Sequence, residues 1–158
     1  DDPQYGVLPE MSAVRSVQTI AAGDTVRVGA LALTAHATAG HTSGGTSWSW
    51  RSCQDGRCVD MVYADSLTAA SRNGFLFTRN AEYPAVLTDF DASFATIAAL
   101  PCDILLTPHP DVSNLWQRLA RRDQGEADAL VDRAACRRYA ESARAALQVR
   151  VDREKNTR

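Results

Sequence analysis

Along the first part of the chain, apolar and polar residues alternate in short runs separated by Gly and Asp. Val14-Arg15-Ser16-Val17-Gln18-Thr19-Ile20 has the two-residue period of a half-buried strand. Gly23-Asp24 then turns the chain into 25–28, and Gly29 turns it again into 31–35. These runs predict a meander of short strands, which 46–50 and 60–63 continue beyond a glycine-rich turn. Residues 66–80, rich in Ser, Gly and Asn, have little periodicity and predict a long loop of the kind that walls a site. Val86, Leu87, Phe90, Phe94, Ile97 and Ala98 fall close to helical spacing, so a helix is expected over 83–100, stopped by Pro101. The apolar run 102–107 reads as a buried strand ending in Pro108-His109-Pro110. Ser113 or Asn114 is expected to cap a short helix through Ala120. The Ala-rich stretch 126–147 predicts a longer helix, and the basic residues 150–158 are expected to fray.

Strands followed by helix, strand and helix imply an α+β fold, one mostly antiparallel sheet with helices on a single face. The other face, if apolar, needs a cover, so a second half or a second copy of the chain is expected on it. With 158 residues, 45% hydrophobic and 23% charged, the chain can bury one core. One domain is expected over 1–149, followed by the tail. Seventeen basic and 19 acidic residues leave a net charge of -2, which implies neither a nucleic acid nor an anionic membrane as partner. No apolar run is long enough to span a bilayer. The chain opens on Asp1 in a loop-like Asp1-Asp2-Pro3-Gln4-Tyr5, which reads as a processed or fragmentary beginning.

Four cysteines add a constraint. Cys53 and Cys58 flank Gln54-Asp55-Gly56-Arg57, whose Asp-Gly signals a hairpin, and opposed cysteines at a hairpin mouth suit a disulfide. Cys102 and Cys136 would form a second, tying the last helix to the strand that leads to His109. A four-cysteine zinc site is the rival, although the two-residue spacing of zinc knuckles is absent. Two disulfides imply an oxidising compartment, periplasmic or secreted.

The candidate chemistry lies in His41, within Gly40-His41-Thr42-Ser43-Gly44-Gly45, and in His109. Each follows a strand-like run at a turn forced by Gly or Pro, an arrangement that can aim an imidazole at a metal. On spacing alone, each ring can equally be a local cap that hydrogen-bonds its own turn.

The stretch 40–48 (Gly-His-Thr-Ser-Gly-Gly-Thr-Ser-Trp), Tyr63-Ala64-Asp65-Ser66-Leu67, Ser93-Phe94-Ala95-Thr96 and 100–110 (Leu-Pro-Cys-Asp-Ile-Leu-Leu-Thr-Pro-His-Pro) closely resemble the C-terminal half of class B metallo-β-lactamases of the third subclass. The resemblance runs from about Val26 to Tyr139 in order and spacing. It implies half of a four-layer αββα sandwich and, in the complete enzyme, two zinc ions that open the β-lactam ring of antibiotics, hence antibiotic resistance. His41 would be the third ligand of the first zinc and His109 that of the second, the others coming from an upstream H-x-H-x-D-H segment. No catalytic group beyond a metal-bound hydroxide is implied. Ser66 and Thr68 would bind the substrate carboxylate, Asp65 would orient a ligand histidine, and His36 would be structural or lie outside the ligands. Both cysteine pairs match disulfides of that group.

Two departures are visible. Ser43 and Gly45 replace the usual Pro and Ser of the turn, which is expected to loosen it. No H-x-H-x-D-H occurs in the chain, so these residues alone are expected to be inactive. Other hydrolases of the fold, lactonases or glyoxalase II, are the alternative enzymes; a noncatalytic fragment that self-associates is the alternative of another kind.

Overall fold

The computed structural model describes residues 2–7 and 12–157. Four antiparallel strands, β1 (Thr25–Val28), β2 (Leu31–Ala37), β3 (Thr46–Gln54) and β4 (Arg57–Tyr63), and a parallel fifth, β5 (Ile104–Leu106), form one sheet in the order β1-β2-β3-β4-β5. Helices α1 (Val86–Ala99), α2 (Leu115–Asp123) and α3 (Ala135–Asn156) complete the α+β fold, with a 3-10 turn at Pro110–Ser113. Asp55 and Gly56 both adopt positive φ, at 51° and 78°, the requirement of a two-residue hairpin turn whose twist suits the flanking strands. That turn sets Cys53 directly opposite Cys58, and they are disulfide-bonded. Cys102 and Cys136 form the second disulfide, joining the approach to β5 to the first turn of α3.

Residues opposite one another across strands share a face, and neighbours along a strand alternate. Val62 and Leu105 are partners, both essentially inaccessible, and pack in one cluster with Phe90, Phe94 and Ile97 of α1 and Tyr139, Ala140, Leu147 and Val151 of α3. Phe77 from the loop before α1 meets Phe90 edge-on at 6.0 Å, and Phe90 stacks on Phe94 at 5.6 Å. Each such fully buried ring contributes roughly 1.5–3 kcal/mol. The alternate residues, among them Leu33, Trp48, Trp50, Met61, Tyr63 and Leu106, face the other way and stay half-buried or, for Tyr63, exposed.

Several boundaries differ from expectation. Val14–Ile20 forms no strand: Val14 and Val17 are 72% and 76% exposed, and alternation makes a strand only where an edge supplies hydrogen bonds. Of the two expected caps of α2, Asn114 occupies the N-cap position, its backbone carbonyl accepting from the Arg118 N–H at 3.1 Å, and Ser113 does not. The Ser113 hydroxyl bonds the Pro110 carbonyl instead, and Asn114 adopts a left-handed conformation without a side-chain cap. α3 begins at Ala135 rather than 126, because Asp132 organises a turn there, its carboxylate accepting from the Ala134 N–H at 3.2 Å. Of the residues expected to fray, 150–156 are the end of α3, and Arg158 lies outside the described residues. Val151 and Glu154 are each 7% exposed, held by a patch the basic composition hides. Among the described residues no helix is long and apolar enough to cross a membrane.

Candidate functional site

The topology brings three loops to one edge of the sheet. Ala37 at the end of β2 pairs with Thr46 at the start of β3, and Trp48, Tyr63 and Leu106 stand level across β3, β4 and β5. The connections carrying His41, Asp65-Ser66-Thr68 and His109 therefore all leave from that edge.

The His41 turn is tightly tied. The Thr38 N–H donates to the Gly45 carbonyl at 2.8 Å, and the Gly40 and Gly45 N–H groups donate to the Thr42 carbonyl at 3.0 and 3.3 Å. The Ser93 hydroxyl of α1 donates to the Ala39 carbonyl at 2.7 Å. The loosening expected from Gly45 is offset by packing: a Cβ there would lie 2.4 Å from the Thr38 carbonyl oxygen. Gly40 is pressed equally hard, with φ +137° and a Cβ position 2.7 Å from the Phe90 ring.

The His41 ring is fixed at both nitrogens. Nδ1 lies 2.7 Å from the Thr68 carbonyl, which can only accept, so Nδ1 carries the proton and Nε2 presents a lone pair. The Gln4 side-chain amide approaches that Nε2 at 2.8 Å. Thr68 belongs to the same cluster, its hydroxyl 2.6 Å from the Ser66 hydroxyl and 3.4 Å from His41 Nδ1. Ser66 is buried, and its N–H donates to Asp65 Oδ1 at 2.8 Å. Asp65 thus orders the loop, and the carbonyl of Thr68 is what orients His41. Tyr139 of α3 supports the loop from below: its hydroxyl donates to the Asp65 carbonyl at 3.2 Å and accepts from the Leu67 N–H at 3.0 Å. Burial pushes the Tyr139 phenol up from its ordinary pKa, so it stays protonated as that donor.

His109 stands apart from these contacts. Its ring is exposed, and only its backbone is held, the carbonyl accepting from the Thr107 hydroxyl at 2.9 Å and from the Val112 N–H at 3.1 Å. His36 lies within β2, its Nε2 2.8 Å from the Ser49 hydroxyl, and burial lowers its pKa from the ordinary 6.5. Sequence reading passed over Gln4, which sits in a stretch that looks like plain loop, and Tyr139. The latter had a signal, a tyrosine one helical turn beyond Cys136 whose buried hydroxyl must find partners.

As single donors both histidines suit a metal, His41 by its tautomer and His109 by its exposure. As a set they do not complete a site: among the described residues no three His, Cys, Asp or Glu side chains could jointly hold an ion.

A sheet with helices on one face and an apolar opposite face, with histidine-bearing loops at one end of the strands, defines one layered half of an α+β architecture. Solved structures match it closely. Rm3 metallo-β-lactamase superposes with a TM-score of 0.95 at 50% identity, over 99% of this chain and 58% of its own. MEM-A1, a subclass B3 metallo-β-lactamase from a soil metagenome library, gives 0.94 at 46% over 99% and 60%. The metallo-β-lactamase MIM-1 from Novosphingobium pentaromativorans gives 0.85 at 36% over 98% and 54%. No protein-family model matches the chain. The chain belongs to the subclass B3 metallo-β-lactamases and spans somewhat over half the length of the members it matches.

Proposed function

We propose that this chain is the C-terminal part of a periplasmic or secreted zinc-dependent β-lactamase, and that it supplies His41 to one zinc site and His109 to the other. The remaining ligands come from an H-x-H-x-D-H segment on a covering half of the sandwich. The observation that carries the reading is the His41 ring, whose proton is committed to the Thr68 carbonyl so that Nε2 is left as the donor. The bare sheet face with Trp48, Trp50 and Tyr63 supports it, since an apolar face of that kind is what the covering half would bury.

Zinc, when bound, supplies an activated water and draws charge from the β-lactam carbonyl. The chain's own residues position and select. Ser66 and Thr68, already hydrogen-bonded to each other beside His41, present hydroxyls to the carboxylate of the antibiotic. A metal on His41 Nε2 would displace the Gln4 amide, which holds that lone pair at 2.8 Å.

Co-expression with a half bearing H-x-H-x-D-H, followed by zinc addition, tests the proposal. Hydrolysis of a chromogenic cephalosporin is expected, with His41→Ala and His109→Ala each reducing the rate by at least a hundredfold. A complemented, zinc-loaded, folded protein that leaves the cephalosporin intact while opening a lactone or thioester would transfer the reading to another hydrolase of the fold.

A further inference from the structure

On the helical side of the sheet, a cleft of about 240 Å³ opens between β5, the 3-10 turn after His109, α2 and the start of α3. Its lining includes Ser113, Arg118, Arg121, Asp132, Arg138 and Tyr139. Three guanidiniums thus meet a single carboxylate, and that carboxylate is already paired with Arg138.

Arg118 is the unusual member. It projects from α2, is only 4% exposed, and donates to two neutral carbonyls, Leu105 at 2.7 Å and Leu130 at 2.9 Å. Its Nε–H is buried with no hydrogen-bond partner among the described residues. Burial lowers the guanidinium's pKa from its ordinary value; Asp132 pushes it back up, and the like charge of Arg121 pushes it down again. A buried cation whose partners are neutral, with one donor unmet, is costly unless an anion completes it. The other two guanidiniums are far more exposed. Arg121 reaches Glu126 at 3.5 Å and Arg138 reaches Asp132, in pairs whose side chains are substantially exposed and which are weakly held.

We propose that this cleft binds a small tetrahedral oxyanion of the phosphate or sulfate class, with Arg118 as the inner guanidinium and Arg121 and Arg138 at the mouth. Size and donor geometry select the class. The volume lies below the roughly 300–1,000 Å³ of pockets that take larger organic ligands. The planar forks of arginine suit oxyanions that accept two parallel hydrogen bonds. Because Val112 and Ser113 line the same cleft, the bound anion braces the turn that follows His109 from behind.

Calorimetric titration of the metal-free chain with inorganic phosphate, at ionic strength held constant with chloride, tests this. Parallel titrations use sulfate and acetate. Saturable one-to-one binding of phosphate and sulfate is expected, with acetate at least tenfold weaker. The double variant Arg121→Gln/Arg138→Gln, at exposed positions, is expected to keep its circular dichroism and lose at least tenfold in phosphate affinity. Arg118→Met is expected to lose binding altogether; should it not fold, the double variant decides alone. His41→Ala/His109→Ala is expected to bind phosphate unchanged. Absence of saturable phosphate binding, full affinity in the double variant, acetate binding equal to phosphate, or loss of binding in the histidine variant would each overturn the assignment.

Discussion

Gly40 and Gln4 show how much of the site is decided by single contacts. At Gly40 the backbone takes φ +137° and a Cβ would stand 2.7 Å from Phe90, a ring with no accessible surface left to retreat into. Gly40→Ala is expected to cost roughly 1–3 kcal/mol, the usual range for overpacking a full core. Gly44→Ala is the control, since nothing lies within 4 Å of its Cβ position. Urea denaturation of both variants checks the claim, and equal losses would remove the Phe90 contact and the positive φ as the source of the requirement. Gln4 acts through competition. Its amide holds the His41 Nε2 lone pair at 2.8 Å, a bond worth about 1 kcal/mol net. Gln4→Ala should therefore tighten zinc binding at His41 about fivefold, read from the imidazole resonances in a zinc titration. Unchanged affinity would mean the amide is displaced without cost.

At the scale of elements, the loop before α1 is fastened by the end of α3. Glu154, buried on α3, accepts from the Thr78 N–H and hydroxyl, both at 3.0 Å, and from Arg150 Nε at 2.6 Å. Arg150 reaches on to the Phe75 carbonyl at 3.1 Å and lies over the Phe77 ring. Burial pushes the Glu154 carboxyl up, but hydrogen bonds from Thr78, Arg150 and Phe77 outweigh it and leave the pKa below its ordinary 4.5. A carboxyl depressed in the folded state contributes stability above its unfolded pKa and loses it as pH falls through the lower folded value. Melting followed from pH 6 into the acid range should show that loss. Glu154→Gln should be less stable at neutral pH by about 2 kcal/mol and show a shallower acid dependence. Some dependence remains through Asp103, whose carboxyl is also held below its ordinary range, first by the Asp60 N–H and then by Arg133. An identical acid slope in Glu154→Gln would remove Glu154 from this role. The end of α3 was the element least legible from sequence, because 150–158 carries four basic and two acidic residues around a lone Val151, and its buried carboxylate, Glu154, looks like a solvated charge. By contrast β3, β4 and α1 were readable from alternation, Asp55-Gly56 and the spacing of Phe90, Phe94 and Ile97. Val14–Ile20 misled, since alternation carries no information about whether an edge is available. In the site, His41 and His109 were visible through their turns, while the contact that orients His41 comes from a backbone carbonyl, which no side-chain pattern records.

Over the whole molecule, the two disulfides divide unequal work. Cys53–Cys58 closes a separation of 5 residues across a hairpin already set by Asp55-Gly56, whereas Cys102–Cys136 closes 34 and ties the chain entering β5 to α3. Loop-closure entropy assigns about 2 kcal/mol to the first and roughly 4 kcal/mol to the second. The second also holds the strand that leads to His109 against the core cluster, where Cys102 and Cys136 are both buried beside Leu105 and Tyr139. Its loss therefore adds a packing defect to the entropy term, while the hairpin bond, with Cys53 exposed, adds none. Replacing Cys102 and Cys136 by Ala should lower stability in urea by 4 kcal/mol or more, and replacing Cys53 and Cys58 by about half as much. Near-equal losses would show that the unfolded chain is already compact around residues 102–136, so that the long bridge constrains little.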